Sequence, residues 1–122
     1  MKKKILLVED EEPLRLLYAE ELKEEGYHVL EACNGKEALQ KMDAEKPDLI
    51  VLDIVMPIMD GMEALGRIVG KYKEIPIILN TSYPDYRQDF MSWAADAYLV
   101  KSADLRELKT KVCELLRKPR SC

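Results

Sequence analysis

Five short apolar runs alternate with five stretches of helical periodicity, and that alternation leaves few folds open to the chain. The runs are 5–8, 29–32, 49–52, 76–79 and 97–100. Runs this short, rich in β-branched residues and without regular polar alternation, read as strands buried on both faces. Between the first two, Pro13 suits the first turn of a helix. Leu14, Leu17, Tyr18, Ala19 and Leu22 recur at helical spacing, and Gly26 stops the pattern. Asn34-Gly35 is a turn signal before Ala38, Leu39 and Met42, and that helix ends before Pro47. Met62, Leu65, Ile68 and Val69 mark a third helix, weakened by Gly66 and Gly70. The stretch 84–94, with Tyr86, Phe90 and Trp93, reads as a fourth. Asp104, with Glu107 three residues on, is a good cap for a fifth that carries Leu105, Leu108, Val112, Leu115 and Leu116. Strand and helix in strict alternation imply a parallel sheet with helices on both faces.

At 122 residues the chain has the size of one domain, and no repeat, linker or low-complexity stretch divides it, so 1–122 is read as a single unit. A net charge of −4 argues against nucleic-acid binding as its main task. Cys33, Cys113 and Cys122 are odd in number and widely spaced, with neither zinc-site spacing nor a disulfide framework. The apolar run after Lys2-Lys3-Lys4 is too short for a signal peptide or a membrane span, so a cytoplasmic protein is expected.

In a doubly wound sheet, ligands bind beyond the carboxyl ends of the strands. Four strand ends here carry polar groups: Glu9 and Asp10 after the first, Asp53 after the third, Thr81 and Ser82 at the fourth, and Lys101 after the fifth. Three carboxylates drawn together stay ionised only if a cation joins them. Hard oxygen donors without His or Cys suit Mg²⁺, with Mn²⁺ as the alternative. Adding the Lys101 ammonium and the Thr81 hydroxyl makes a receptacle for a phosphoryl group on Asp53. As simpler readings, Glu11 and Glu12 are helix-start acids favoured by the dipole, and Asp60 shapes the loop before the third helix. His28 lies away from the site, on the surface.

With these residues in view, the chain resembles a response regulator receiver domain, the phosphoacceptor half of two-component signalling. The carriers are Ile5 through Glu11, Asn34-Gly35-Lys36-Glu37-Ala38-Leu39, Asp53 through Met56-Pro57 to Asp60-Gly61, Thr81, and Tyr98-Leu99-Val100-Lys101. The resemblance implies an α/β, flavodoxin-like doubly wound sheet of order 2-1-3-4-5 with five helices. It also implies that Asp53 takes a phosphoryl group from a sensor histidine kinase or phosphotransfer protein. Asp10, Asp53 and the backbone carbonyl of Val55 then bind Mg²⁺, with Glu9 acting through water. Lys101, Thr81 and the Ser82 backbone N–H hold the phosphoryl oxygens, and Tyr98 turns inward behind Thr81. A downstream protein reads the face made by the fourth predicted helix, the fifth strand and the fifth predicted helix, with no direct nucleic-acid contact and no membrane insertion.

The chain departs from the family pattern in having Glu9 where Asp is more usual, and Ser102 where Pro usually follows the lysine. Val55 and Tyr83 should flank the path of a hydrolytic water without activating it, which predicts a long-lived phosphorylated form. Val55 also stands where an aspartyl-nucleophile phosphatase would place its general acid, so the chain is read as a phosphoacceptor and not an enzyme. The acidic run 9–12 would repel the phosphate of a flavin. A receiver-like docking module that works without phosphate is the other alternative.

Overall fold

The computed structural model describes residues 2–53, 61–72, 74–81, 95–101 and 104–116, with the backbone alone at 61, 62, 64 and 65. Strands β1 (Lys4–Val8), β2 (His28–Ala32), β3 (Leu49–Leu52), β4 (Ile77–Thr81) and β5 (Ala97–Val100) form one parallel sheet in the order β2-β1-β3-β4-β5. Helices α1 (Glu12–Glu24), α2 (Gly35–Ala44) and α3 (Gly61–Lys71) follow the first three strands, and α4 (Arg106–Leu116) follows β5. The helix expected over 84–94 lies outside the described residues, so four of the five expected helices are seen.

Side-chain alternation along each strand divides the interior into two apolar layers. Leu6, Val8, Ile50, Leu52, Ile77, Leu79 and Tyr98 face Ala38 and Met42 of α2 and Ile68 of α3. Ile5, Leu7, Leu49, Val51, Ile78, Ala97 and Leu99 face Tyr18, Ala19 and Leu22 of α1 and Leu108 and Val112 of α4. Every residue of β3 is buried, as its unbroken apolar run requires. Full burial of a Leu or Ile side chain contributes roughly 1.5–3 kcal/mol, so this strand is a main anchor of the fold.

Local signals mostly act as expected. Pro13 lies at the start of α1, and Gly26 takes a φ of 97°, a left-handed conformation that suits a residue without Cβ. Two differ in detail. Asn34 caps α2, its Oδ1 accepting from the Glu37 N–H at 2.8 Å, so Gly35 opens the helix instead of closing a turn. Asp104 accepts from the Arg106 N–H at 3.0 Å and its carboxylate also clamps the Arg106 guanidinium, so α4 begins two residues beyond it. Cys33 is a free thiol. Cys113 is disulfide-bonded, which its spacing did not foretell. Among the described residues no helix is long and apolar enough to cross a membrane.

Candidate functional site

The backbone ladder carries on past the strand ends and fixes the residues that follow them. The Glu9 N–H donates to the Ala32 carbonyl at 3.0 Å, the Asp53 N–H to the Val8 carbonyl at 3.1 Å, and the Lys101 N–H to the Thr81 carbonyl at 2.7 Å. Side chains that the sequence scatters over ninety residues therefore meet at one edge of the sheet.

Glu9, Asp10 and Asp53 each offer a carboxylate oxygen within 4.8 Å of the other two. Glu9 and Asp53 are buried, at 1% and 4% exposure, while Asp10 is half-buried and opens the cluster to solvent. The Lys101 ammonium lies between the two buried acids. It donates to Glu9 Oε2 at 3.0 Å and to Asp53 Oδ2 at 3.0 Å, and lies 2.8 Å from Glu9 Oε1 as an ion pair. One cation among three carboxylates leaves two negative charges to be met. An all-oxygen set with that charge fits a hard divalent ion.

The electrostatics follow from burial. Loss of water is the largest influence on Glu9 and lifts its carboxyl above the ordinary range. The hydrogen bond and charge of Lys101 oppose this without cancelling it, and the Asp53 charge adds to it. Burial is also the largest single influence on Lys101 and pulls it down. Its hydrogen bonds to Glu9 and Asp53, with their charges, together outweigh that, so the ammonium is held above its ordinary value and stays charged.

Thr81 is fully buried at the end of β4. Tyr98 is buried at 3% exposure and pairs in register with Leu79, two residues before Thr81. Alternation places Thr81 and Tyr98 on the same sheet face, toward α2 and α3. Val55 and Ser82 lie outside the described residues, as do Tyr83, Asp60 and Ser102. His28 is exposed, as expected.

Two supports were not foreseen from the sequence. Arg15 Nη1 donates to the Glu9 carbonyl at 3.1 Å, while its Nε meets Glu31 at 3.3 Å. The Glu11 N–H donates to Glu9 Oε2 at 3.2 Å. An arginine in the first turn of a helix runs against the macrodipole, and that mismatch was the available signal.

A sequence profile for the response regulator receiver domain matches residues 5–113. The chain belongs to that family. Membership makes it a phosphoacceptor domain of two-component signalling. The chain is 38% identical over 120 residues to the alkaline phosphatase synthesis transcriptional regulatory protein PhoP of Bacillus subtilis, covering 97% of this chain and 50% of that one. It is 36% identical to sporulation initiation phosphotransferase F of the same organism, covering 95% of each. It thus spans about half of one curated relative and nearly all of the other. Among solved structures, the response regulator TrrA of Thermotoga maritima in complex with Mg²⁺-BeF is 52% identical, with a TM-score of 0.88, covering 93% of this chain and 99% of that one. TrrA bound to the histidine kinase ThkA matches at 51% identity and a TM-score of 0.86, covering 94% and 99%.

Proposed function

We propose that Asp53 is the phosphoacceptor and that the groups around it bind and orient the incoming phosphoryl group. The observation that carries this is the Lys101 ammonium, already hydrogen-bonded to Asp53 at 3.0 Å on the buried floor of an otherwise acidic cluster. In the reaction an Asp53 carboxylate oxygen forms a bond to phosphorus. The bond from phosphorus to the donor's nitrogen or oxygen breaks, and its electron pair leaves with the donor. The product is an acyl phosphate on Asp53. Lys101 keeps its proton throughout and offers its N–H groups to the phosphoryl oxygens, where negative charge accumulates. The Thr81 hydroxyl, the Ser82 N–H and the inward Tyr98 are assigned to the same cradle.

Asp10, Asp53 and the Val55 carbonyl are the ligands assigned to Mg²⁺, with Glu9 acting through water; when bound, the ion neutralises charge on the acids and on the transferring group. TrrA's Mg²⁺-BeF complex supports this reading. The complex of TrrA with a histidine kinase supports a kinase or phosphotransfer protein as the donor. The output is assigned to the face that includes β5, whose last residue, Val100, is 45% exposed. A cytoplasmic setting and the absence of an enzymatic role toward other substrates belong to the same proposal.

The test is to incubate the chain with Mg²⁺ and a small acyl-phosphate donor and to read intact mass. The native chain should gain one phosphoryl group and Asp53→Asn none. A native chain that gains nothing sinks the proposal.

A further inference from the structure

Two buried polar side chains end β4, and they face opposite layers. Thr81 lies on the side of α2 and α3. Asn80, one residue earlier, lies by alternation on the side of α1 and α4 and pairs in register with Leu99. Asparagine is depleted in strands and is mostly exposed where it occurs. Asn80 is only 5% exposed. Tyr18, which α1 contributes to the same layer, is 1% exposed.

Among the described residues, neither the Tyr18 hydroxyl nor the Asn80 amide has a hydrogen-bond partner in the protein. Every polar side-chain atom that is sealed from solvent does have one. The little surface that Tyr18 and Asn80 keep is therefore at their polar ends. Both line one cavity. Its floor is Tyr18, Asn80, Leu99 and Leu108, and the exposed residues Asp104 and Glu107 stand at its mouth. The space open to the centre of a water molecule is about 10 Å³. A cavity takes one water at about that size, provided that two or more polar groups face it. This floor supplies two, each able to donate and to accept, and it carries no charge. It suits a neutral molecule of water's size and not an ion.

We infer that the cavity is a binding site for a single water molecule that bridges the Tyr18 hydroxyl and the Asn80 amide. A bridge of this kind is nearly as favourable as a direct hydrogen bond. It satisfies two groups that would otherwise be buried at a cost. It also fastens α1 to the end of β4. The next residue is Thr81, whose carbonyl accepts from the Lys101 N–H at 2.7 Å. The water therefore holds, from the α1 side, the strand end that carries the proposed cradle. The site stands whether or not Asp53 takes a phosphoryl group.

The direct test is a crystal structure of the free chain. It should show one water at about 2.7–3.2 Å from both the Tyr18 oxygen and an amide atom of Asn80. The energetic test uses Tyr18→Phe, Asn80→Leu and the double variant, each keeping an apolar body in place, with stability read by urea unfolding. Each single change leaves the other polar group facing the cavity with a partner lost. It should lower the folding equilibrium constant roughly 5- to 10-fold, the scale of one net hydrogen bond. Together the two changes make the floor apolar and leave nothing unmatched. The double variant should stay within roughly 5-fold of the parent, well short of the roughly 25- to 100-fold that independent losses would give. A cavity without a water that touches both groups would overturn the inference. So would single losses that multiply in the double variant, or an Asn80→Leu chain as stable as the parent.

Discussion

Replacing Lys101 by methionine tests how much the buried charge cluster depends on one ammonium. Methionine keeps the apolar stem and removes the charge. Glu9 and Asp53 then face each other at 1% and 4% exposure without the cation that touches both. Removing one partner of a buried ion pair costs about 3–5 kcal/mol. The half-buried Asp10 side lets in water, and a carboxylate can take up a proton, so the lower end applies, about 3 kcal/mol at neutral pH. That is a large share of the 5–15 kcal/mol typical of a whole domain, and it corresponds to a fall in Tm of roughly 10 °C. Urea unfolding followed by far-UV circular dichroism measures it. The sign with pH follows from Glu9. Its carboxyl is already raised by burial, and losing Lys101 raises it further. The native variant therefore binds protons that its unfolded chain does not, and its stability falls as pH rises between the two values. The deficit against the parent should be largest at neutral pH, shrink on mild acidification, and shrink also on adding Mg²⁺, which binds only the folded cluster. A variant within about 0.5 kcal/mol of the parent at neutral pH would refute the reasoning, as would a deficit that grows on acidification.

Other expectations are more local. Asn34→Ala removes the cap on the Glu37 N–H and should cost about 1 kcal/mol in urea unfolding, whereas Asn34→Gly should cost only a few tenths. Leu52→Ala hollows the fully buried end of β3 and should cost about 2–5 kcal/mol; a smaller loss would mean that the neighbouring layers collapse into the space. The Arg106 guanidinium and N–H draw the Asp104 carboxyl down from 3.8 to about 2. Its contribution should be present above the ordinary value and fade as pH falls toward 2, and an NMR titration of its carboxyl carbon with a midpoint near 3.8 would contradict the clamp. Mg²⁺ competes with protons for the cluster, so calorimetric affinity should begin to fall on acidification at a higher pH than an ordinary glutamate would dictate, because Glu9 is raised.

The sheet was legible because each strand is an apolar run bounded by breakers, and a parallel sheet buried on both faces needs nothing subtler. The order of strands came by resemblance, since apolar runs alone do not say which neighbours pair. The meeting of Glu9, Asp10, Asp53 and Lys101 was legible because strand ends share an edge. What each does to the others was not. The resemblance makes Glu9 an acid acting through water, and its bond to Lys101 joins the ends of β1 and β5, a pairing that spacing along the chain does not encode. Arg15 was silent for a similar reason: its partner is a backbone carbonyl, which carries no sequence signature. Gly35 opens α2 instead of closing a turn, because Asn-Gly signals a turn and a helix cap with the same two residues.

The sheet that separates the two apolar layers also sorts core substitutions into two sets that act independently. Met42 and Ile68 share a layer, and Leu22 and Val112 share the other; among the described residues no side chain belongs to both. Sites without shared partners combine additively, whereas neighbours couple. Damage at Met42 should thus be suppressed by second-site changes around Ile68, Leu79 or Tyr98, and not by repacking of α1 against α4. A lineage could rebuild the α1–α4 layer wholesale while leaving the layer behind Thr81 and Tyr98 untouched, and so change what docks on one side without retuning the side that carries the proposed switch.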